Sequence, residues 1–322
     1  MKLKAQNDIM LSLSKNKGDF MKKILLVILN AFYEIKKSVS DKLWACFDFF
    51  YSRVKKAPCV ASVEETIDTL ANNRFSIARF GDGEIKLVAG ENISFQKATP
   101  FVTQKLREVL SSDVEGLLVG VADIFGDRSR YGKSSTKYWK KHLHRYRSVW
   151  YRYLKKNKKY YNASMTRQYI SLKDRSQGTA IYNRMKRIWD GKDIVFIEGK
   201  ESRMGVGNDL FSSAKSIKRI LAPSTQAFSK YNEILKEAQK QNKDVLFLIA
   251  LGPAATGLAY DLHLLGYQAI DIGHVDVEYE WLLMKSDSRI PLKNKLVHEA
   301  HSFCVDECVD EDYLSQIIAK IL

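Results

Sequence analysis

Apolar positions along this chain follow two alternating rhythms. Short continuous apolar runs at residues 75–80, 117–122, 194–197, 217–221, 245–251 and 269–272 have the length of strands buried on both faces. Between most of them, apolar residues recur at three- and four-residue steps. Val63, Ile67 and Leu70 form one such stripe, and Leu106, Val109 and Leu110 another within residues 101–110. Leu210, Phe211 and Ala214 form a third within residues 208–214, residues 229–241 are polar on one side, and Leu258, Leu262 and Leu265 line residues 256–265. Ser62 and Glu65 have capping-box spacing, and Gly266 supplies a stop. Strands alternating with helices predict an α/β fold, a mostly parallel sheet with helices on both faces. Residues 313–322, with Leu314, Ile317, Ile318 and Ile321, read as a closing helix.

Two segments stand apart from this rhythm. Residues 1–56 hold 12 Lys/Arg against 5 Asp/Glu and many aromatics, and read as a basic amphipathic N-terminal extension preceding a body at residues 57–322. Such helices suit either a membrane surface or packing on the body or on a second subunit, which leaves a homo-oligomer open. Residues 130–160 hold 12 Lys/Arg and no acid, interleaved with Tyr and Trp. Aromatics in basic grooves stack nucleic-acid bases. Trp139, Leu143, Tyr146, Trp150 and Tyr153, however, share one helical face, so the segment is expected as a helical insertion that buries its aromatics.

Charge narrows the partner without naming it. The 322 residues carry a formal net charge of +15, which favours an anionic partner: nucleic acid, acidic membrane or phosphorylated substrate. Four cysteines in 322 residues are no secreted disulfide framework, and a reducing, cytoplasmic setting is expected. His298, His301, Cys304 and Cys308 share a helical face, but structural zinc sites pair ligands across a turn, so a partly buried helix face is expected there.

The candidate chemistry falls in the turns that follow strands, where open parallel sheets bind ligands. Asp82 and Glu84, in Arg79-Phe80-Gly81-Asp82-Gly83-Glu84, are carboxylates one residue apart, suited to holding Mg²⁺ or Mn²⁺ against a diphosphate. After the strand at 194–197 come Arg203, Gly205, Gly207, Asn208 and Asp209, where two glycines are expected to open a helix whose N-terminus attracts phosphate. A dinucleotide fingerprint and a Walker A motif are both absent from the sequence, which disfavours a dehydrogenase and a P-loop ATPase. Gly252, Pro253 and Thr256 fall in a turn of small residues that suits either close approach of a ligand or tight strand–helix packing, with Thr256 able to cap the helix. If residues 271–281 are extended, His274, Asp276, Glu278 and Glu280 share one face, and one carboxylate can serve as general base.

These motifs, with Arg203-Met204-Gly205-Val206-Gly207-Asn208-Asp209-Leu210, Leu251-Gly252-Pro253 and the run from Asp271 to Trp281, together resemble the GT-D fold glycosyltransferases over residues 62–291. The resemblance implies a Rossmann-like domain, a nucleotide-sugar donor (commonly a UDP-sugar) and a divalent cation at Asp82 and Glu84. It implies extension of a glycan, glycoprotein or lipid-linked glycan acceptor in bacterial surface glycoprotein or polysaccharide synthesis. Arg79, Arg203 and the Gly205–Asn208 turn are expected at the donor phosphates, and a carboxylate among Asp276, Glu278 and Glu280, with Glu280 favoured, as the base. With a lipid-linked acceptor, the basic extension would hold the enzyme on the inner face of the cell membrane. The rival reading is a non-enzymatic protein that binds nucleic acid or another anionic surface; the enzyme reading needs no nucleic acid.

Overall fold

A computed structural model describes residue 39, residues 41–297, residue 300 and residues 310–322. The cluster His298, His301, Cys304 and Cys308 therefore lies outside the described residues. The chain divides into two compact units, Met1–Lys55 and Lys56–Leu322. In the first, residues 41–54 form a helix, α1.

The second unit is built on one nine-stranded sheet in which every named strand pair is parallel. In chain order its strands are β1 (Cys59–Val60), β2 (Ser76–Phe80), β3 (Leu117–Val121), β4 (Lys159–Asn162), β5 (Asp193–Gly199), β6 (Ser216–Ala222), β7 (Leu246–Ala250), β8 (Gln268–Asp271) and β9 (Ile317–Lys320). Across the sheet they run β1-β4-β3-β2-β8-β7-β5-β6-β9. The helices are α2 (Val63–Asn72), α3 (Asp82–Val88), α4 (Pro100–Leu110), α5 (Lys133–Tyr153), α6 (Gly178–Lys186), α7 (Tyr231–Ala238), α8 (Pro253–Leu264), α9 (Val275–Leu283) and α10 (Glu311–Ser315).

Alternation along each strand divides the apolar side chains between two cores. Ala78, Val119, Val195, Phe247 and Ala269 pack beneath α4, α5, α7 and α8. Their neighbours Ile77, Leu118, Phe196, Leu248 and Ile270 pack on the other face with α2, α6 and α9. Burial on both faces accounts for the continuous apolar runs. Ser62 Oγ accepts from Glu65 N at 3.0 Å to start α2, and Thr99 with Pro100 starts α4. In α5, Leu143, Tyr146 and Trp150 are buried, and Trp139 and Tyr153 pack against the same core. That face puts Tyr146 and Trp150 inside the protein, while Tyr138 of the same helix stays exposed.

Four local expectations are corrected. Residues 208–214 are turns rather than a helix. Asn208 Oδ1 accepts from Leu210 N at 3.0 Å, and Gly205 and Gly207 have φ of 76° and 84°, so side-chain and glycine geometry override the apolar spacing. Consequently Gly205 and Gly207 open no helix. Thr256 is not a cap: α8 starts at Pro253 behind Gly252, and Thr256 lies one turn in. Residues 275–283 are helical, not extended. Their alternating apolar residues are two stripes at four-residue spacing, Val275 with Tyr279 on one core and Val277 with Trp281 on another. Finally, residues 313–322 split between α10 and β9, which pairs with β6 and forms the sheet's last strand. A short apolar run does not distinguish helix from strand, and an open sheet edge decides.

Candidate active site

All strands point the same way, so their carboxyl ends share one edge. The chain leaving β2 turns through α3 and α4 to β3 on one side, whereas the chain leaving β8 passes through α9 towards β9 at the far side. Such a reversal opens a crevice between β2 and β8. A second reversal lies between β7, which leads back to β8, and β5, which leads outward to β6.

Arg79 seals the floor of the first crevice. Its Nε donates to Asp271 O (2.6 Å), Nη2 to Asp271 Oδ1 (2.6 Å), and Nη1 to Ala163 O (2.9 Å) and Thr166 Oγ1 (2.7 Å). The guanidinium thus ties β2 to β8 and to the turn after β4, with its donors committed inside the protein. Thr256 Oγ1 closes the same joint by donating to Arg79 O at 2.9 Å. Burial pushes the Asp271 carboxyl above its usual range, and Arg79 opposes that rise. Gly273 has φ of 46°, and a Cβ there would meet Arg79 Nη2 at 2.2 Å. Only glycine fits.

Asp82 and Glu84 occupy the first turn of α3 directly above this joint. Glu84 Oε2 accepts from Gly81 N at 2.8 Å. Asp82 Oδ2 accepts from Lys86 Nζ at 2.7 Å and from the Tyr138 hydroxyl. Desolvation pushes Glu84 up to about 7, with the neighbouring charges of Asp271 and Asp82 adding to the rise and the Gly81 amide opposing it. Asp82 is pulled the other way: burial favours its neutral form, but Lys86 and Tyr138 hold it below the usual range. Behind them, burial lowers His142 to about 4, leaving a neutral ring whose Nε2 accepts from Trp150 Nε1 at 3.1 Å.

The donor set fits a hard divalent cation. Two carboxylates lie in one helical turn, and burial first, then the negative charges of Asp271 and Asp82, raises Glu84 to about 7, a rise that a bound cation would oppose. Among the described residues, no group of three or more His, Cys, Asp and Glu is gathered around a metal site. An ion held by Asp82 and Glu84 would take its remaining ligands from phosphate and water.

On α9 the acids separate. Asp276 and Glu280, four residues apart, face one way: Asn208 Nδ2 donates to Asp276 Oδ1 (2.7 Å) and Glu280 Oε1 (2.6 Å). Lys295 Nζ bridges the same two carboxylates at 2.7 and 2.9 Å, and Gly205 N donates to Asp276 Oδ1 at 3.1 Å. Asp276 and Glu278 are fully buried, whereas the Glu280 side chain keeps 14% exposure, which makes it the acid of this run that solvent or a substrate can reach. Glu278 points elsewhere, accepting from Ile170 N at 3.0 Å and pairing with Arg167 at 3.8 Å. His274 Nδ1 meets Arg167 Nη2 at 3.1 Å.

Beneath Asp276 lies the fully buried Glu198 at the end of β5, bonded by Arg219 Nη1 (2.6 Å) and Met204 N (2.8 Å). Burial raises Glu198 above its usual range, Arg219 opposes this, and Asp276 adds to it.

A family model for the glycosyltransferase GT-D fold matches residues 77–300. The chain belongs to the GT-D fold glycosyltransferase family. It is 39% identical over 266 residues to "Glycosyltransferase GlyD" of Streptococcus pneumoniae serotype 4, covering 82% of this chain and 32% of that protein. The solved structure described as "The highly conserved domain of unknown function 1792 has a distinct glycosyltransferase fold" superposes with a TM-score of 0.81 at 36% identity, covering 85% of this chain and 99% of that one. "A New Glycosyltransferase (DUF1792) from Streptococcus sanguinis" gives a TM-score of 0.80 at 35% identity over 83% of this chain and 100% of that one. The chain spans between 32% and 39% of the length of the curated relatives it matches.

In this GT-D chain, the remaining sequence-predicted residues are distributed along the same edge. Asp209 is held by Lys186 (2.6 Å) and Tyr279 (2.7 Å). Arg203, buried with φ of 47°, donates to Asn294 O at 3.1 Å. Gly252 starts α8 with φ of 53°, where a Cβ would meet the Phe95 ring at 3.1 Å, and Pro253 follows at the first helical position. Gly207 faces open space. Sequence reasoning gave no role to three members: Asp271, which it placed in the motif run without one, Glu198, whose only signal is an acid at the end of an apolar strand, and Lys295, whose loop carries none.

Proposed function

We propose that this chain transfers a hexose from a nucleotide-sugar donor, a UDP-sugar, to a hydroxyl of a glycan acceptor, the acceptor belonging to a surface glycoprotein or polysaccharide or being lipid-linked. The observation that carries the reading is the pairing, on adjacent strands β2 and β8, of an acid pair suited to a cation with a reachable acid on α9. Asp82 and Glu84 are the residues that would hold Mn²⁺ or Mg²⁺. When bound, the cation supplies positive charge against the donor diphosphate. Glu280 takes the proton of the acceptor hydroxyl as its oxygen attacks the anomeric carbon and the sugar–diphosphate bond breaks. Lys295 and Asn208 fix the Glu280 carboxylate for that proton. Arg79 and Thr256 tie β2 to β8 and the helix that follows β7 at the carboxyl edge from which both α3 and α9 start.

The test is UDP release from a panel of UDP-sugars with glycan acceptors, with Mn²⁺ and in EDTA, on the wild type and on Asp82→Asn/Glu84→Gln. Metal-stimulated release that the double variant loses while its melting curve stays cooperative is expected. Full turnover of the double variant in chelator would remove these acids from the reaction.

A further inference from the structure

Helix α1 reverses the usual burial order. Asp48 is 7% exposed, whereas the flanking Phe47, Phe49 and Phe50 are 49%, 52% and 62% exposed. Leu43 (67%), Trp44 (41%) and Val54 (80%) are exposed as well. At about 100° per residue, Leu43, Trp44, Phe47, Phe50, Tyr51 and Val54 fall on one stripe roughly 120° wide. Within it, Phe47 stacks on Tyr51 with ring centroids 5.5 Å apart, and Trp44 meets Phe47 edge-on at 6.2 Å. A continuous apolar patch of this kind marks an interface.

Composition and charge select its occupant. A seam for a second copy is built from branched aliphatic residues, but four of the six side chains here are aromatic, and Trp and Tyr are the residues of membrane–water interfaces. Cations flank the stripe on one side: at the same rotation Arg53 and Lys42 lie about 60–80° beyond its edge, Arg53 being 3.5 Å over the ring of Phe49, itself off the stripe, and Lys55 and Lys56 follow the helix end. Residues 1–56 carry 12 Lys/Arg and 5 Asp/Glu, a net of +7, which matches anionic headgroups. Among the described residues no helix is long and apolar enough to cross a membrane.

We propose that α1 lies in the surface of an anionic lipid bilayer, with its aromatic stripe in the headgroup–acyl boundary and Lys42 and Arg53 at the phosphates. This inference is independent of the transfer reaction. It is tested by sedimenting the full chain with phosphatidylglycerol-containing vesicles and with pure phosphatidylcholine vesicles, at low and high salt. Partitioning onto the anionic vesicles should exceed that onto the neutral ones at least tenfold and fall with salt. Phe47→Ser/Phe50→Ser should lower it at least tenfold while the melting curve of the body is retained. Brominated lipid should quench wild-type fluorescence more than that of Trp44→Phe, a readout that needs no stripe variant to fold. Equal partitioning on both lipids, quenching unchanged by Trp44→Phe, or a stripe variant that instead converts a dimer into a monomer without lipid, would each overturn the proposal.

Discussion

Gly273→Ala isolates the value of the Arg79 joint. An added Cβ would lie 2.2 Å from Arg79 Nη2 and 3.3 Å from Cζ, so the guanidinium has to withdraw by about 1 Å, more than a close-packed interior absorbs. Two contributions add. Holding alanine at φ of 46° costs about 1 kcal/mol. Displacing Arg79 weakens its bonds to Asp271, and breaking a buried ion pair costs about 3–5 kcal/mol, for a total of roughly 4–6 kcal/mol. Gly266→Ala is the control, because Gly266 has φ of 83° and nothing within 4 Å of its Cβ position, so it meets the backbone cost alone. Urea unfolding of both variants at pH 7 reads the difference directly. The pH dependence is signed as well. Burial raises Asp271 and Arg79 restrains the rise, so without Arg79 its ionised form is disfavoured further. The Gly273→Ala penalty should therefore shrink towards low pH, where the carboxyl is protonated, and grow as pH rises. A gap below about 1 kcal/mol between the two variants, against the ion-pair cost above, would refute the joint.

Three further outcomes follow from the acids and their partners. With Glu84 raised from 4.5 to about 7, the fold favours its neutral form, so its destabilising effect is absent below pH 4.5 and complete above pH 7. In EDTA, Glu84→Gln should gain up to about 3 kcal/mol at pH 8, two and a half units at 1.36 kcal/mol each, and nothing at pH 4; equal gains at both pH values in urea unfolding would reject this. Lys295→Met leaves Asp276 buried without its cation and should lose about 3–5 kcal/mol, with Asp276→Asn restoring part of it in a double-mutant cycle; simple additivity would place the two residues out of contact. Glu280→Gln should lower transfer by about 10²–10⁴-fold while leaving UDP affinity, measured by calorimetry, unchanged; wild-type turnover would move the base elsewhere.

Strand order apart, the sheet was legible because strands buried on both faces read as continuous apolar runs: β2, β3, β5, β6, β7 and β8 all coincide with such runs. What the sequence concealed was short or decided by tertiary context. β1 has two residues and β4 four, too few for a period, and β9 takes its state from the open edge of β6. The motif positions were visible, but their geometry was not. An Asp-Gly-Glu run fits a turn and a helix start equally, and here it starts α3 with Glu84 capping its own Gly81 amide. In the 271–281 run, alternation of acid and apolar residues imitates a strand, yet two four-residue stripes satisfy the same letters as a helix. That change regroups the acids: Asp276 joins Glu280 on Asn208 and Lys295, and Glu278 is turned to Ile170 and Arg167.

The regrouping bears on how the site is assembled. β2 and β8 are neighbours in the sheet although Ile77 and its partner Ile270 are far apart in the chain, so the crevice between them exists only once the non-local pairing is made. Only that pairing brings the α3 acids and the α9 acids to the same edge. The polar contacts that lock it, Arg79 with Asp271 and Thr256 with Arg79 O, are themselves at the carboxyl ends of these strands. A buried charge at this position is tolerable only when its partner is in place. Strand register and site geometry are therefore coupled, and a misregistered β8 would separate Arg79 from the Asp271 carboxylate. Activity should then fall together with unfolding stability in variants of the joint, and separately from it in variants of Asp82 or Glu280, which lie outside the joint.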